Sequence, residues 1–257
     1  MTGTNAKFVW YELLTSDPKA AQAFYATVVG WTAKDAGMSE PYTLMSVGEA
    51  DVAGMMALPP ELAATGRKPA WTGYVAVDDV DAMATRILQA GGKLMHPAMD
   101  IPGVGRFAPV ADPQGASFAL FKPMPGDQPA RPAPGAPGTI GWHELYAATD
   151  WQKAFEFYSS HFGWTKGEGI DMGPGGTYQI FEIDGVPSGG MMTAPPERPA
   201  GGWGYYFNVD SIQAAVGRID SAGGQVTNGP MEVPGGMWIV QARDPQGAAF
   251  ALVSSAA

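Results

Sequence analysis

The sequence predicts an α+β fold made of two copies of one domain, and three observations support this prediction. Trp10-Tyr11-Glu12-Leu13 returns 132 residues later (142 − 10) as Trp142-His143-Glu144-Leu145. A segment rich in proline and glycine lies between the two copies. Strand-like and helix-like runs follow each other in the same order in both halves. The repeat period exceeds the roughly 20–50 residues of solenoid repeats, so it indicates a duplicated globular domain.

Further motifs return in the same order along the whole chain. The matched pairs are Phe24-Tyr25 with Phe157-Tyr158, Gly30-Trp31 with Gly163-Trp164, Gly54-Met55-Met56 with Gly190-Met191-Met192, and Asp112-Pro113-Gln114-Gly115 with Asp244-Pro245-Gln246-Gly247. The offset stays between 132 and 136 residues, which excludes a chance match. At 257 residues the chain is long enough for two domains that each bury a core.

The boundary between the copies falls in a linker. Proline and glycine are concentrated between Pro123 and Gly138. Proline fixes φ and removes a backbone donor, so we expect an extended, semi-rigid tether there. The predicted first domain is residues 1–122, the linker is 123–138, and the second domain is 139–257.

Each domain is predicted to contain two β-α-β-β-β units. Residues 8–14 form a short apolar run typical of a strand, and Asp17 followed by Pro18 is a start signal for a helix that ends at Gly30. Three short strands follow, and the same plan then restarts with a second helix. The second unit closes with a hairpin across Asp112-Pro113-Gln114-Gly115, where proline and glycine occupy their preferred type I turn positions.

Composition excludes several functional classes. The chain has 15 Lys+Arg against 25 Asp+Glu, a formal charge of −10, which repels phosphate backbones, so no nucleic-acid partner is expected. The absence of cysteine excludes disulfides, thiolate metal sites and a cysteine nucleophile. No apolar run approaches the roughly 18 residues of a membrane span, and the N-terminus lacks the plan of a signal peptide. We therefore expect a cytoplasmic monomer or homodimer without a membrane partner.

These features together resemble the vicinal oxygen chelate superfamily, which contains glyoxalases, bleomycin-resistance proteins and extradiol dioxygenases. The resemblance rests on the paired β-α-β-β-β units, on the strand–Asp–helix run that ends in Phe-Tyr and then Gly, and on the late Asp-Pro-Gln-Gly hairpins. It covers both domains, and the Trp-x-Glu-Leu start further resembles a two-domain bacterial subgroup described as glyoxalase-like. It implies that each domain bends a mixed sheet into a cup around the ligand, with the helices outside.

The resemblance also implies where metal ligands would lie. In the superfamily they are typically a His on the first strand, a His or Gln on the strand that opens the second unit, and a Glu on the last strand. Carried over residue by residue, these positions fall on Trp10 and His143 or Trp142, on Thr72 and Gly204, and on Ala119 and Ala251. A divalent catalytic metal normally needs about three protein ligands, and alanine supplies none. We therefore expect no metal and no other cofactor.

Glu12 and Glu144 are the candidate catalytic residues. Each lies in an otherwise apolar strand, and period-two alternation places it on the same face as Trp10 or Trp142. A carboxylate there would act as a general base or accept a hydrogen bond from a substrate hydroxyl or amine. The structural alternative is a glutamate held by backbone N–H groups or tyrosine hydroxyls, because a buried charge needs a partner.

Four tryptophans and one histidine are the candidate substrate-binding residues. Trp10, Trp71, Trp142 and Trp203 recur on the strands that open each unit, and aromatic walls suit a flat or hydrophobic ligand. Their alternative role is in the ordinary hydrophobic core. His143 adjoins a ligand position, but the repeat alignment places it on the opposite face of its strand.

The sequence thus predicts a glyoxalase- and bleomycin-resistance-like protein that lacks the family metal site and binds a small hydrophobic or aromatic molecule in its cups. The alternative is an enzyme of the superfamily, a lyase, isomerase or dioxygenase, that uses Glu12 or Glu144 as a base or has a divergent metal site. A third hypothesis is a scaffold whose own side chains fill the cups. The fold does not choose among them, because one fold hosts many reactions.

Overall fold

The computed structural model describes residues 6–126, 132–196 and 201–257. Residues 127–131, in the middle of the predicted linker, lie outside the described residues. The chain is mixed α+β, with two curled sheets of nine and eight strands and few helices. The predicted fold class and its tandem arrangement are confirmed.

The two copies share the order of their long elements. In the first copy the elements are β1 Phe8–Thr15, α1 Pro18–Val29, β2 Thr32–Asp35, β3 Thr43–Val47, β4 Ala50–Ala57, α2 Pro60–Ala64, β5 Ala70–Ala76, α3 Val80–Gln89, β6 Lys93–Leu94, β7 Met99–Ile101, β8 Gly105–Ala111 and β9 Ser117–Pro123. In the second they are β10 Ile140–Ala147, α4 Trp151–Phe162, β11 Thr165–Asp171, β12 Thr177–Ile183, β13 Val186–Thr193, β14 Gly202–Asn208, α5 Ile212–Ser221, β15 Gln225–Val233, β16 Met237–Arg243 and β17 Ala249–Ser254. The first copy adds the short helix α2 and has two short strands, β6 and β7, where the second has the single strand β15.

Local signals start and end the long helices as predicted. The side chain of Asp17 accepts a hydrogen bond from the backbone N–H of Ala20, and Pro18 opens α1. Gly30 ends α1 with φ of 86°, a left-handed conformation that glycine adopts without strain. Asp150 caps α4 in the same way. Across the described ranges, no helix is both long enough and apolar enough to cross a membrane.

Contacts divide the chain into two compact units that cut across the two copies. Unit 1 comprises the described residues within Met1–Val9, Thr72–Asp127 and His143–Trp203. Unit 2 comprises those within Trp10–Trp71, Gln128–Trp142 and Gly204–Ala257. Each unit therefore combines one half of the first copy with one half of the second.

Each unit contains two runs of four neighbouring strands. The orders are β2-β3-β4-β1 and β14-β17-β16-β15 in unit 2, and β11-β12-β13-β10 and β5-β9-β8-β6 in unit 1, where β7 also pairs with β8. The strand that opens each β-α-β-β-β unit runs parallel to its neighbour, as in β1 with β4 and β14 with β17. Helices α1 and α5 pack together in unit 2, and α3 and α4 in unit 1.

A buried hydrogen-bond network joins the two halves of unit 2. The Tyr25 hydroxyl on α1 donates to Oδ2 of Asp244 at 3.2 Å and accepts from Nε1 of Trp71 at 2.8 Å. Oδ1 of Asp244 accepts from the backbone N–H groups of Gln246 and Ala248 at 3.0 and 2.8 Å. Burial raises the pKa of the Tyr25 hydroxyl, and the nearby Asp244 charge raises it further.

Unit 1 contains the same network at the equivalent positions. The Tyr158 hydroxyl donates to Oδ2 of Asp112 at 3.1 Å and accepts from Nε1 of Trp203 at 3.0 Å. Oδ1 of Asp112 accepts from the backbone N–H groups of Gln114 and Ala116 at 2.8 and 2.9 Å. The Asp-Pro-Gln-Gly hairpin of each copy thus holds the first helix of the other copy.

Candidate functional site

The opening strand of each copy has one face toward the helices, the helix side. We call the opposite face, away from the helices, the cup face. In β1, Leu13 pairs with Met55 of β4, and both are completely buried on the helix side. The neighbouring pair, Glu12 with Gly54, lies on the cup face because side chains alternate along a strand. Glu12 is half-buried there, in a strand that is otherwise largely apolar.

Trp10, Glu12 and Tyr42 form a cluster on the cup face of unit 2, which we call the Tyr42 cluster. Nε1 of Trp10 donates to the Tyr42 hydroxyl at 2.9 Å. The same hydroxyl is hydrogen-bonded to the Glu12 carboxylate, and burial together with the charge of Glu12 raises the pKa of Tyr42. Because the phenol stays neutral, it accepts from the indole and donates to the carboxylate. All three side chains are half-buried, so indole, phenol and carboxylate meet on one partly accessible surface.

A glycine opposite each glutamate makes room for a tyrosine ring. A Cβ added to Gly54 would lie 1.9 Å from the Tyr42 hydroxyl oxygen, so this ring lies directly over the strand. In unit 1, Glu144 pairs with Gly190, and a Cβ there would lie 2.1 Å from the ring of Tyr178. Glu144 is 7% exposed, so the second copy buries its glutamate more deeply than the first.

The strand run β14-β17-β16 gives unit 2 a second cup-face surface. The Tyr206 hydroxyl accepts from Nε2 of Gln241 at 2.7 Å. Trp142, Met237 and Ile239 pack against a buried group made of Tyr206, Ala251 and Val253. This surface combines an indole, aliphatic side chains and a carboxamide.

The equivalent run β5-β9-β8 in unit 1 is more aromatic. The centroid of the Tyr74 ring lies 6.0 Å from that of Phe107 and 6.2 Å from that of Phe121. Pro109 stands at the position equivalent to Gln241, so a proline ring replaces the carboxamide at this place in unit 1. The two copies therefore present different chemistry at matching positions.

The structure places the other three predicted binding residues away from these surfaces. Trp71 and Trp203 point to the helix side, where each donates to the tyrosine of the buried network. His143 is 9% exposed and stacks on Phe8 with ring centroids 4.2 Å apart. Its Nδ1 donates to the Ser188 carbonyl at 2.7 Å, and burial lowers the pKa of His143 to about 4. Trp71 and His143 are buried and Trp203 is half-buried on the helix side, so the two tryptophans take the packing role considered as their alternative.

The positions that correspond to the family's metal ligands carry few suitable donors. Ala119 and Ala251 are buried strand partners of Tyr74 and Tyr206. The Trp10 indole is engaged as a hydrogen-bond donor and has no lone pair to offer a metal. Within residues 6–126, 132–196 and 201–257, no three His, Cys, Asp or Glu side chains come together in a group that could hold a metal ion.

Sequence reasoning missed the tyrosines of the cup faces. Tyr42 and Tyr178 recur at an offset of 136 residues, within the range of the other repeated motifs, and Tyr74 and Tyr206 recur at 132. The repeat therefore contained the signal that could have found them. Their hydrogen bonds and ring contacts depend on neighbouring strands, which no local pattern specifies.

Comparison with known proteins places this geometry in a family. The model of the Glyoxalase/Bleomycin resistance protein/Dioxygenase superfamily matches residues 7–120 and 140–252. The chain is 32% identical over 255 residues to a protein of Mycobacterium bovis named as a glyoxylase, CFP32, and the match covers 96% of this chain and 94% of that one. It is 33% identical over 261 residues to the anthracycline biosynthesis protein DnrV of Streptomyces peucetius, with 95% and 91% covered.

Solved structures share the fold at low identity. The Mn(II)-bound glyoxalase from Novosphingobium aromaticivorans superposes with a TM-score of 0.64 at 18% identity, covering 99% of this chain and 83% of that one. The 2,3-dioxygenase LapB from Pseudomonas sp. KL28 superposes with a TM-score of 0.64 at 14% identity, covering 99% and 93%. At such identities the likeness extends to the fold alone.

Proposed function

Because the chain belongs to the Glyoxalase/Bleomycin resistance protein/Dioxygenase superfamily, we propose that it binds a small aromatic or hydrophobic molecule at the Tyr42 cluster, without the family metal. The observation that carries this proposal is the cluster itself. Trp10 donates to the Tyr42 hydroxyl at 2.9 Å, and that hydroxyl is hydrogen-bonded to the Glu12 carboxylate on a half-buried face. A small number of placed polar groups in aromatic surroundings is typical of small-molecule sites.

Glu12 supplies the polar anchor in this proposal. A carboxylate accepts hydrogen bonds and attracts positive charge, so the preferred ligand carries a hydroxyl or amine group next to its apolar body. Tyr42 orients the carboxylate, because its raised pKa keeps the phenol protonated and donating. The Trp10 indole in turn holds the phenol oxygen from its other side.

The residue types at the family ligand positions support binding without a metal. Ala119 and Ala251 have no donor atom, and the Trp10 N–H is itself a donor. A catalytic site for a divalent ion normally has about three protein ligands. We therefore assign no chemical step to a metal in this protein.

The names of two relatives suggest a ligand class. DnrV and the 32% identical DauV of Streptomyces sp. strain C5 are both named anthracycline biosynthesis proteins. Anthracyclines are flat polycyclic aromatics, and the Tyr42 cluster offers aromatic ring surface next to a carboxylate. We propose a flat polycyclic aromatic ligand with a hydroxyl or amine substituent.

A titration with doxorubicin tests this proposal. The measured signals are quenching of tryptophan fluorescence and the dissociation constant. Glu12→Gln keeps the size of the side chain and removes its charge, and we expect at least about tenfold weaker binding with an unchanged melting temperature. Glu144→Gln is the matched control in unit 1, where the glutamate is more deeply buried. Equal affinity of the wild type and Glu12→Gln would contradict the anchoring role of Glu12.

An enzyme that uses Glu144 as a general base is the second candidate. The observation that favours it is the burial of this carboxylate at 7% exposure, because general bases commonly lie in sites that exclude water. Loss of turnover in Glu144→Gln with retained ligand affinity would favour this candidate over simple binding.

Melting curves with added Ni²⁺, Zn²⁺, Fe²⁺ and Mn²⁺ test the proposal that the protein acts without a metal, since specific binding to the folded state raises the melting temperature.

A further inference from the structure

A groove of about 1080 Å³ opens in unit 1, between the start of α3 and the end of α4. We call it the α3–α4 groove. Its lining includes Asp79, Ala82 and Arg86 from the α3 side, Lys122 from the end of β9, and His161 from the end of α4. The groove contains no residue of the Tyr42 cluster, so an inference about it is independent of the proposed function.

Basic groups are concentrated around this groove, although the chain carries a net charge of −10. Lys7, Arg86, Lys122 and His161 all line it. Nδ1 of His161 donates to the Phe157 carbonyl at 2.8 Å, so Nε2 is the ring nitrogen that a ligand would meet. This nitrogen accepts from a protonated oxygen of an anion when the ring is neutral and donates to an anion when the ring is an imidazolium.

Three acidic residues also line the groove, and two of them have assigned partners. Asp184 forms an ion pair with Lys7. Asp79 caps α3, where its side chain accepts from the backbone N–H of Ala82 at 2.9 Å. Asp78 is the third. Among the described residues, Arg86, Lys122 and His161 are the basic groups of the lining for which no ion pair is formed.

In unit 2 the positions equivalent to three of the basic groove residues carry neutral side chains. Thr139, Ser254 and Val28 stand at the positions of Lys7, Lys122 and His161. Nδ2 of Asn208 donates to Oγ1 of Thr139 at 2.8 Å, and Oγ of Ser254 donates to the Asp210 carbonyl at 3.0 Å. These neutral side chains are used internally, so the basic groups of unit 1 are not required by the fold.

Both units have an arginine at the same repeat position, Arg86 in unit 1 and Arg218 in unit 2, but the two form different hydrogen bonds. In unit 2, Nε and Nη2 of Arg218 donate to the Val28 carbonyl at 3.2 and 3.1 Å. In unit 1 the equivalent Arg86 donates through Nη2 to the Ser160 carbonyl at 3.3 Å, its one hydrogen bond to the described residues. More of the Arg86 guanidinium is therefore available to an added acceptor.

In unit 2 the residues after β17 cover the start of α5, a contact that the described residues after β9 do not make with α3. After β17, the carbonyl of Ala256 accepts from the backbone N–H of Ile212, and the carbonyl of Ala257 accepts from Oγ of Ser211. After β9 the chain turns elsewhere, because the backbone N–H of Met124 donates to the Val104 carbonyl at 2.9 Å. The groove and the added basic side chains thus occur together in unit 1.

We propose that the α3–α4 groove binds a small anion with carboxylate or phosphate groups, held by Arg86, Lys122 and His161. Guanidinium and ammonium groups make charge-assisted hydrogen bonds to both kinds of oxygen anion. The groove is open and its basic residues are exposed or half-buried, so binding weakens as salt is added.

Amide chemical shifts of the ¹⁵N-labelled full chain test the proposal, with inorganic phosphate and succinate as separate probes at low salt. We expect saturable shifts at the amides of Asp79, Ser160 and Gly163, which line the groove. The probe with the lower dissociation constant identifies the preferred anion. Shifts that do not saturate with either probe, or that saturate only elsewhere in the chain, would overturn the proposal.

A variant that copies residues of unit 2 into unit 1 provides a second test of the proposal. Lys122→Ser with His161→Val introduces the residues that unit 2 carries at the equivalent positions, so the fold is expected to tolerate them. We expect at least about tenfold weaker anion binding in this variant. Lys166→Ala is the control, because Lys166 lies over the rings of Trp151 and Phe155 and does not line the groove. Unchanged affinity in the double variant would refute the assignment to this groove.

Discussion

Unit 1 and unit 2 each contain a buried hydrogen-bond network of the same kind, but the glutamine next to the network forms different hydrogen bonds in the two units. In each unit an aspartate of the hairpin accepts from a tyrosine hydroxyl, and a tryptophan N–H donates to that hydroxyl. In unit 1, Oε1 of Gln114 accepts from the backbone N–H groups of Thr149 and Asp150, at the start of α4. In unit 2, Oε1 of Gln246 is buried without a hydrogen-bond partner among the described residues.

This difference shows which interactions the duplicated fold requires. The aspartate, tyrosine and tryptophan are the same in both copies, and they join chain segments that are far apart in sequence, such as Tyr25 and Asp244. The glutamine is also the same residue in both copies, but within the described part of the chain only the side-chain oxygen of Gln114 accepts a hydrogen bond. Residue identity in a repeat therefore does not guarantee the same interaction.

Removal of the network carboxylate has the largest expected effect. Asp112→Ala and Asp244→Ala each leave a tyrosine hydroxyl and two backbone N–H groups without their acceptor. We expect each to lower the free energy of unfolding by about 3 kcal/mol, measured by urea denaturation. Asp112→Asn and Asp244→Asn keep one acceptor oxygen and should cost less. A large loss in only one unit would show that the two networks are not equivalent.

Substitution of the cup-face glycines is expected to cost about 2 kcal/mol. The new Cβ of Gly54→Ala would collide with Tyr42, and that of Gly190→Ala with Tyr178. Thermal or urea unfolding measures the loss in each variant. The double variant Gly54→Ala/Tyr42→Ala removes the colliding ring, so it should be no less stable than Tyr42→Ala alone. If Gly54→Ala is as stable as the wild type, the Tyr42 ring can move off the strand without loss of stability, contrary to this prediction.

The two glutamines provide the sharpest test of the difference between the units. Gln114→Ala removes hydrogen bonds to Thr149 and Asp150, including one from Nε2 to the Asp150 carbonyl at 2.6 Å. We expect a loss of about 1–2 kcal/mol. Gln246→Ala removes a buried oxygen that has no partner in the described part of the chain, so its expected cost is close to zero. Equal losses for both variants would contradict this distinction.

The pH dependence of Asp112 gives the smallest expected effect. Burial raises the pKa of this carboxyl above 3.8 in the folded protein, so the folded state holds the proton more tightly than the unfolded state. Its stabilising contribution is fully present below about pH 3.8 and is lost as the pH rises through the raised folded pKa. The stability of the wild type relative to Asp112→Asn should therefore fall as the pH increases across this window. Urea denaturation at several pH values measures it, and the opposite slope would contradict a raised pKa.

Local signals in the sequence predicted much of the fold. Asp17 and Gly30 mark the ends of α1 because an N-cap side chain and a left-handed C-cap are local requirements. Period-two alternation predicted that Glu12 and Trp10 share a strand face, and both belong to the Tyr42 cluster. The repeat predicted the tandem domains, which the match at residues 7–120 and 140–252 confirms.

The arrangement of the site depended on contacts that local patterns do not contain. Trp71 was predicted as a cup wall because it recurs with Trp203, but recurrence does not tell which side of a strand a residue occupies. Its indole donates to Tyr25 on the helix side. Tyr42 reaches Trp10 only because β3 and β4 bring it beside β1, where Gly54 leaves room for its ring.

The sequence by itself determined the duplicated α+β fold, the ends of the helices and the faces of the strands, because these follow from backbone conformation and residue periodicity over short distances. Only the tertiary structure decided which halves of the two copies pack into one unit, and which side chains meet. The reason is physical: Tyr25 and Asp244 are 219 residues apart, and their hydrogen bond exists only after distant strands and helices have packed.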